Sequence, residues 1–392
     1  MGMDESASEL PLSGIVVISV EQAVAAPFAS RQLADLGATV IKIEPSRGDL
    51  SRHYDSVMNG QSVNFVWVNR GKQSLVLDLH TEMDTLVTLI AGADVFLHNM
   101  APDSARRAGL DLQGLVDQYP HLIACSISGY GSGGPRQDDK AYDLTVQAEA
   151  GVFSVTGDGA MSKAGFSVAD IAAGMYALSG ILAALVRRQR TGSGGVVEVS
   201  MLDSLAEWMS APLYGAVYGG GQAPRVGRRH HSIAPYGIYE LVDGSRVLIA
   251  VQTDADWQVL AATVLESSEL AGDGRFATNS DRLRNVDELE EAITERMKGF
   301  AAEMMRRRLR DARIAHSSVN DLEGVWNHQQ LRGRDRFVEV NTPTGPVEVL
   351  ASPMNIDGRV AGDGAVPALG EHDPELIARL RAKGTPRRNH MR

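Results

Sequence analysis

Asp170 stands at the head of an almost uninterrupted apolar run, IAAGMYALSGILAALV. A carboxylate in that place has two uses. It can cap a helix, since aspartate is among the best residues at a helix N-terminus. It can also attack an activated acyl group, with the exposed helix N–H groups favouring the anion and any oxyanion beside it. On residue type and position alone, capping suffices. Other patterns that carry chemistry fail on spacing. GYGSGG at 129–134 follows a predicted strand but lacks the GxGxxG frame that opens onto a helix, and the glycines of 191–195 and 219–221 do no better. No GxxxxGK[ST] occurs, so a dinucleotide dehydrogenase loses its main support. No HExxH occurs either, and His230-His231 is a lone pair, so no metal centre is expected. No GxSxG elbow supports a serine hydrolase. Cys125, the single cysteine, lies in the apolar HLIACSI and reads as a buried structural thiol; alone it makes no internal disulfide and no cysteine zinc cage.

The elements that must position these residues read as an α/β chain. Gly14–Val20 and Ala38–Glu44 are short, β-branched and bounded by Gly or Pro, as buried strands are. Between them Pro27–Leu36 has helical spacing, with Gly37 just past its end. A helix over Met83–Ala91, strands at Asp94–His98 and His121–Ser126, a long helix Asp170–Arg188, a strand Val196–Ser200 and a helix Leu202–Met209 continue the alternation. This predicts a parallel sheet covered by helices on both faces, with ligands gathered at the strands' carboxyl ends. The body of the long helix is so apolar that it should lie buried. Then the character changes. Gly219–Arg229 reads as a linker, followed by a hairpin pair, Pro235–Leu241 and Arg246–Gln252 around Asp243-Gly244, and charged helices from about Val286 to Arg313. From about 335 short strands return, then a terminal helix Pro374–Ala382. The expected division is a large α/β domain over 1–215, a linker and small α+β domain over 216–334, and a C-terminal segment 335–392 returning to the large domain.

The length, 392 residues, fits two domains better than one core. A net charge of −11 argues against a nucleic-acid partner, which needs a broad basic face. The first residues hold no basic segment followed by an apolar core, so no secretory signal is expected. Gly2 to Ser6 fits the loose myristoylation pattern, but Asp4 and Glu5 make chance the better reading. Ile171–Val186 is shorter than the ~18 residues of a membrane span. The expectation is a soluble, cytoplasmic protein with no membrane partner.

From Pro11 to about Met209, and more weakly beyond, the chain resembles the class III (CaiB/BaiF) CoA-transferases. The words that carry the likeness are PLSGIVVISVEQAVAAPFASRQLADLGATVIKIE, NRGKQSLVLDL, ADVFLHNMAPDSARRAGL, ISGYGSGGPR, ADIAAGMYALSGILAALVRRQRTGSGGVVEVSMLDSL and, near the end, ALGEHDPEL. The resemblance implies that Asp170 is the nucleophile and that Tyr142 and Asp143 form a tyrosine–acid pair beside it. It places Lys140 and Arg107 on CoA phosphates, Asn99 and Leu77 along the nucleotide, Val24 and Ala25 near the thioester, and Met201 in the pocket wall. Pro45 stands where the formyl-CoA enzyme of the family has an arginine on the adenine, so that contact is either lost or supplied elsewhere, with Arg47 and Arg52 as candidates. CoA enters as substrate, and no permanently bound cofactor is implied.

The same scaffold serves 2-methylacyl-CoA racemases, which resemble this chain but carry a histidine where Tyr142 stands. Tyrosine, with a pKa near about 10, is a poor base at neutral pH, and this favours CoA transfer over racemisation; a non-catalytic CoA-binding protein is the remaining alternative. EQAVAAPFASRQLADLGA and KAYDL are similar to the subgroup acting on small dicarboxylates (mesaconate, itaconate, succinate), which implies succinyl-CoA as donor and a C4–C5 dicarboxylate as acceptor. The basic run Arg225–His231 (RVGRRHH) could bind the second carboxylate or simply be a solvated linker. The resemblance further implies an interlocked homodimer of ring-like chains.

Overall fold

The computed structural model describes residues 10–384; the Gly2–Ser6 pattern lies outside them. Six strands, β1 (Val16–Val20), β2 (Thr39–Glu44), β3 (Lys72–Val76), β4 (Val95–His98), β5 (Ile123–Ser128) and β6 (Gly195–Ser200), form one sheet in the order β3-β2-β1-β4-β5-β6. Every neighbouring pair is parallel; Val17, for example, sits opposite Val40 on one side and Val95 on the other. The chain winds outward from β1 through β2 to β3, then restarts beside β1 with β4. The order therefore reverses between β1 and β4, the place where a doubly wound sheet opens a crevice.

Helices α1 (Ala25–Asp35), α2 (Val63–Asn69), α3 (Met83–Ala91), α4 (Pro102–Arg107), α5 (Leu112–Gln118), α6 (Asp143–Glu149), α7 (Val152–Val155), α8 (Val168–Thr191) and α9 (Met201–Trp208) come between and after these strands. One core, centred on Ile18, Ile41, Phe96, Leu86 and Ile90, also receives Leu380 from the C-terminal helix Pro374–Gly384. α8 lies against α1 and β6 because small residues allow it. A Cβ on Gly174 would meet the Ala25 carbonyl oxygen at 2.7 Å, and one on Gly180 would meet Val197 at 2.6 Å. Gly192, in the left-handed region at φ 76°, ends α8 by donating to the Arg188 carbonyl.

The structure departs from the sequence reading in several places. α8 is not buried all round: Met175, Tyr176, Ser179 and Val186 form an exposed stripe opposite its packed face. It is long and apolar enough to span a membrane by composition, yet 56% of its apolar window is packed inside the fold. It also starts at Val168, two residues before Asp170. β3 was not foreseen as a strand. Its outer edge is covered by the C-terminal segment: Ser74 N–H donates to Glu371, Gly370 N–H to Ser74 Oγ and Gly71 N–H to Ala365.

The chain divides into two units. The first comprises residues up to Val152, Ala164–Ser210 and Gln330 onward; the second comprises Phe153–Lys163 and Ala211–Gln329. The boundaries expected at 215 and 334 thus fall at 210 and 329, and the strip 153–163 joins the second unit. In that unit β7 (Tyr236–Glu240) and β8 (Arg246–Ala250) pair antiparallel across the Asp243-Gly244 turn, and an unforeseen β9 (Ala315–Ser318) joins β8. Its core is built on Trp257, Phe276, Ile293 and Met305. In the first unit β10 (Phe337–Thr342) and β11 (Gly345–Leu350) form a hairpin.

Candidate active site

Asp170 is the third residue of α8, and the capping of that helix is done by another residue. Asp143, the first residue of α6, accepts from the N–H of Ala169 at 2.8 Å and of Asp170 at 3.4 Å through Oδ1. Its Oδ2 accepts from Gln147 Nε2 at 2.7 Å. Gln147, buried one turn along α6, also donates to the Phe166 carbonyl and accepts from Ala164 N–H. The two residues therefore clamp the approach to α8 while leaving Asp170's side chain unused. Among the described residues no donor bonds its carboxylate. Burial, and next the Asp143 carboxylate, push the Asp170 carboxyl up from the ordinary range to about 7. An ordinary aspartate, with a pKa of about 3.9, is ionised at neutral pH; here the carboxyl is only partly so.

Tyr142, the residue before α6, holds Thr145 through its backbone and leaves its ring exposed. It is one of three groups, with Asp49 and Asp170, whose charge raises the phenol of Tyr54, after burial has begun to do so. Tyr54, absent from the sequence reading, thus belongs to the same neighbourhood. Val24 and Ala25 are buried at the head of α1, and the Ala25 carbonyl lies against Gly174, one turn along α8 from Asp170. Met201 begins α9 and is buried.

Beneath the loop after β1 lies a buried charge network. Three carboxylates, Glu21, Glu44 and Asp49, face three cations, Lys42, Arg52 and Lys72. Lys72 Nζ meets Glu21 at 2.6 Å, and Lys42 Nζ meets Asp49 at 2.7 Å. Burial alone would raise Glu21, but Lys72 and Lys42 outweigh it and hold the carboxyl down at about 2. Lys42 is raised in turn, since Glu21, Asp49 and Glu44 overcome its burial. A lysine centred in the buried strand TVIKIE was the available sequence signal, because a strand covered on both faces has no other reason to carry one.

A cavity of about 530 Å³ opens at the carboxyl ends of β1, β2, β3 and β4, across the switch point. Leu77, Asn99, Pro45 and Arg47 line it. Asn99 spends its amide on the Gln22 backbone, accepting from N–H at 3.0 Å and donating to the carbonyl at 2.9 Å. Of the two arginines considered for the adenine contact, Arg52 is committed: it grips Glu44 through Nε and a terminal nitrogen and lies over the Phe65 ring. Arg47 remains on the cavity wall. Arg107 is exposed and donates to Ser104 Oγ, itself a lining residue; Lys140 is exposed. In the second unit, Arg225 is also committed, donating to the Gly159 and Ser154 carbonyls, and His230 stacks between His231 and Tyr236.

A desolvated, unengaged carboxylate at a helix head can act as nucleophile, and the cavity is large enough for part of a nucleotide. The model of CoA-transferase family III matches residues 12–373. A relative from Agrobacterium fabrum (strain C58), named succinate–glutarate CoA-transferase, is 33% identical over 94% of this chain and 96% of its own. One from Acetobacter aceti, named acetyl-CoA:oxalate CoA-transferase, is 33% identical over 89% of this chain and 90% of its own. A solved CaiB/BaiF family protein from Brucella suis superposes with a TM-score of 0.84 at 31% identity, covering 95% of this chain and all of that one.

Proposed function

The chain belongs to CoA-transferase family III, and from that premise we propose that it moves CoA from succinyl-CoA to a C4–C5 dicarboxylate through Asp170. The observation that carries this reading is the Asp170 carboxylate at the head of α8, desolvated and free because Asp143 does the capping. The ionised carboxylate attacks the thioester carbonyl and expels CoA thiolate, leaving an aspartyl–acyl anhydride. The thiolate attacks the aspartyl carbonyl, which releases the donor acid and leaves an aspartyl–CoA thioester. The acceptor carboxylate attacks that thioester to give a second anhydride and thiolate, and the thiolate closes on the acceptor's acyl carbon. Asp170 returns as a carboxylate. Each step exchanges one acyl bond for another, and no redox partner is needed.

CoA would enter the cavity at the strand ends, with Leu77 and Asn99 along the nucleotide, Arg47 in reach of the adenine, and Arg107 and Lys140 toward the phosphates. Val24 and Ala25 would face the thioester, Met201 the pocket wall, and Tyr142 the reacting carboxylate. Dicarboxylate specificity is supported by relatives whose names specify glutarate and oxalate as acids. A homodimer, interlocked as the family resemblance implies, would cover the apolar stripe that α8 leaves exposed; light scattering on the pure protein tests the dimer, and resistance to subunit exchange between tagged and untagged protein tests the interlock. The decisive experiment incubates the enzyme with succinyl-CoA, traps with hydroxylamine or borohydride, and maps the modified residue by mass spectrometry. Modification at Asp170, lost with all transfer in Asp170→Ala, is expected; full transfer by that variant refutes the mechanism. A panel of glutarate, mesaconate, itaconate and oxalate as acceptors then decides the acid. Solvent deuterium appearing at the α-carbon without any acceptor would point to racemisation instead.

A further inference from the structure

We infer that Asp49 is a positioning residue for acyl transfer: it fixes the loop Glu21–Ala25 in one strained shape through the N–H of Ala23. The inference rests on the CoA-transfer reading but not on which carboxylate carries the acyl group. Ala23 sits at φ 61°, the left-handed region that a residue with a Cβ avoids unless its surroundings impose it. The imposing groups come from three separate segments. Asp49, after β2, accepts from Ala23 N–H through Oδ1 at 3.3 Å. Lys42, from within β2, donates to the Glu21 carbonyl at 3.2 Å and to Asp49 Oδ2 at 2.7 Å. Asn99, after β4, holds both sides of Gln22. Three successive residues of one loop are thus gripped through their backbone by side chains whose own positions are set by the sheet.

The chemistry of the grip is informative. Lys42, Glu21 and Lys72 have fully buried side chains, and Asp49 is buried with them. Replacing buried ion pairs by apolar residues of similar size is often neutral or stabilising, so stability alone gives no reason to build such a network. What a network of this kind supplies is a single conformation, and here the conformation it specifies is that of the loop leading into α1. Glu21 and Gln22 line the cavity, and the Ala25 carbonyl lies against α8 one turn from Asp170. A loop in that position sets where the thioester lies relative to its attacker, and misplacement by about 1 Å can cost roughly 100-fold in rate.

Asp49 Oδ1 also accepts from Ser51 N–H at 2.8 Å, so two double variants test its acceptor role, and amide exchange at Ala23 set against that at Ser51 separates the two contacts. Lys42→Met/Asp49→Asn keeps an oxygen for Ala23 N–H without leaving an unpaired ammonium; Lys42→Met/Asp49→Leu removes the acceptor as well. Both should bind CoA within about threefold of each other by calorimetry, while kcat in the leucine variant falls about 100-fold below that of the asparagine variant. Hydrogen exchange at the Ala23 amide should be faster in the leucine variant alone. Equal turnover in the two, or equal exchange at Ala23, overturns the inference. Should the leucine variant fail to melt cooperatively, Ala23→Val asks the same question without touching the network, because a β-branched residue resists positive φ. Its kcat should fall by a similar factor with CoA binding intact, and turnover within threefold of wild type overturns the inference. Turnover is read as CoA transferred to acceptor. Loss or retention of transfer in Asp170→Ala therefore judges the aspartyl mechanism separately.

Discussion

The carboxylate of Asp143 takes the amides at the head of α8, and this leaves Asp170 half-buried, with no donor to its carboxylate among the described residues. A carboxyl whose pKa rises from about 3.9 to about 7 is one that the fold holds partly protonated. In the proposed mechanism only the ionised form attacks, so kcat/KM for the acyl-CoA should rise with pH and level off above an apparent pKa of about 7, as a pH–rate profile would record. The same shift acts on stability with the opposite sign. Between the unfolded and folded values the folded chain binds the extra proton, so stability is fullest below pH 4 and falls as pH rises through 7. Asp170→Asn removes that loss. Its melting temperature should exceed wild type at pH 8 and match it near pH 4, with the underlying stability gap at pH 8 reaching a few kcal/mol at about 1.4 kcal/mol per pKa unit. Asp143→Ala should do two things at once. Loss of the cap should cost about 1 kcal/mol in denaturant melts. Loss of the neighbouring charge should move the activity profile toward lower pH, whereas a residue that served only as a cap would leave the profile in place.

At the scale of elements, α1 and α8 approach closely beside the candidate site. A Cβ on Gly174 would stand 2.7 Å from the Ala25 carbonyl and 2.9 Å from the Phe28 ring. Gly174→Ala should therefore part the helices at the very turn that carries the loop, costing about 1–3 kcal/mol of stability and lowering kcat more than it raises KM. Steady-state kinetics beside a thermal melt separates the two effects. β1, β2 and β4 were legible because GIVVISV, ATVIKIE and DVFLH are compact runs with the residues a buried strand demands. β3 was not, because KQSLV has a lysine and a serine in the places where a buried strand should be apolar. Both are buried for reasons that lie elsewhere in the chain: Lys72 answers Glu21, and Ser74 bonds Glu44 and the C-terminal segment. α6 escaped for a related reason, since its short DLTVQAE follows no apolar face of its own and owes its place to Asp143 and Gln147 holding the start of α8. Asp170 could be proposed through the words around it. Tyr54, Asp49 and Gln147 could not, because contacts from other segments give them their roles.

For the whole molecule the chain passes between its two units at 152/153, 163/164, 210/211 and 329/330, so neither unit is one continuous stretch. The strip 153–163 is then a part of the second unit that arrives ahead of the rest, and something must fasten it. Arg225 does so, its guanidinium donating to the Gly159 and Ser154 carbonyls, while Gly227 N–H donates to Gly157 and Asp158 pairs with Val226. The basic run 225–231 had two readings in the sequence, a carboxylate site or a solvated linker, and for Arg225 the geometry favours neither. Arg225→Ala should accordingly act as a structural lesion. It removes several hydrogen bonds from a charged donor, worth about 1.5–3 kcal/mol each when the acceptors are left wanting. Limited proteolysis should then open the strip 153–163 faster than in wild type, and the melting temperature should drop. The KM for a dicarboxylate acceptor should stay within about twofold, because a guanidinium already spent on two carbonyls has little left to offer a carboxylate. A rise of tenfold or more in that KM, with stability unchanged, would instead return Arg225 to the substrate.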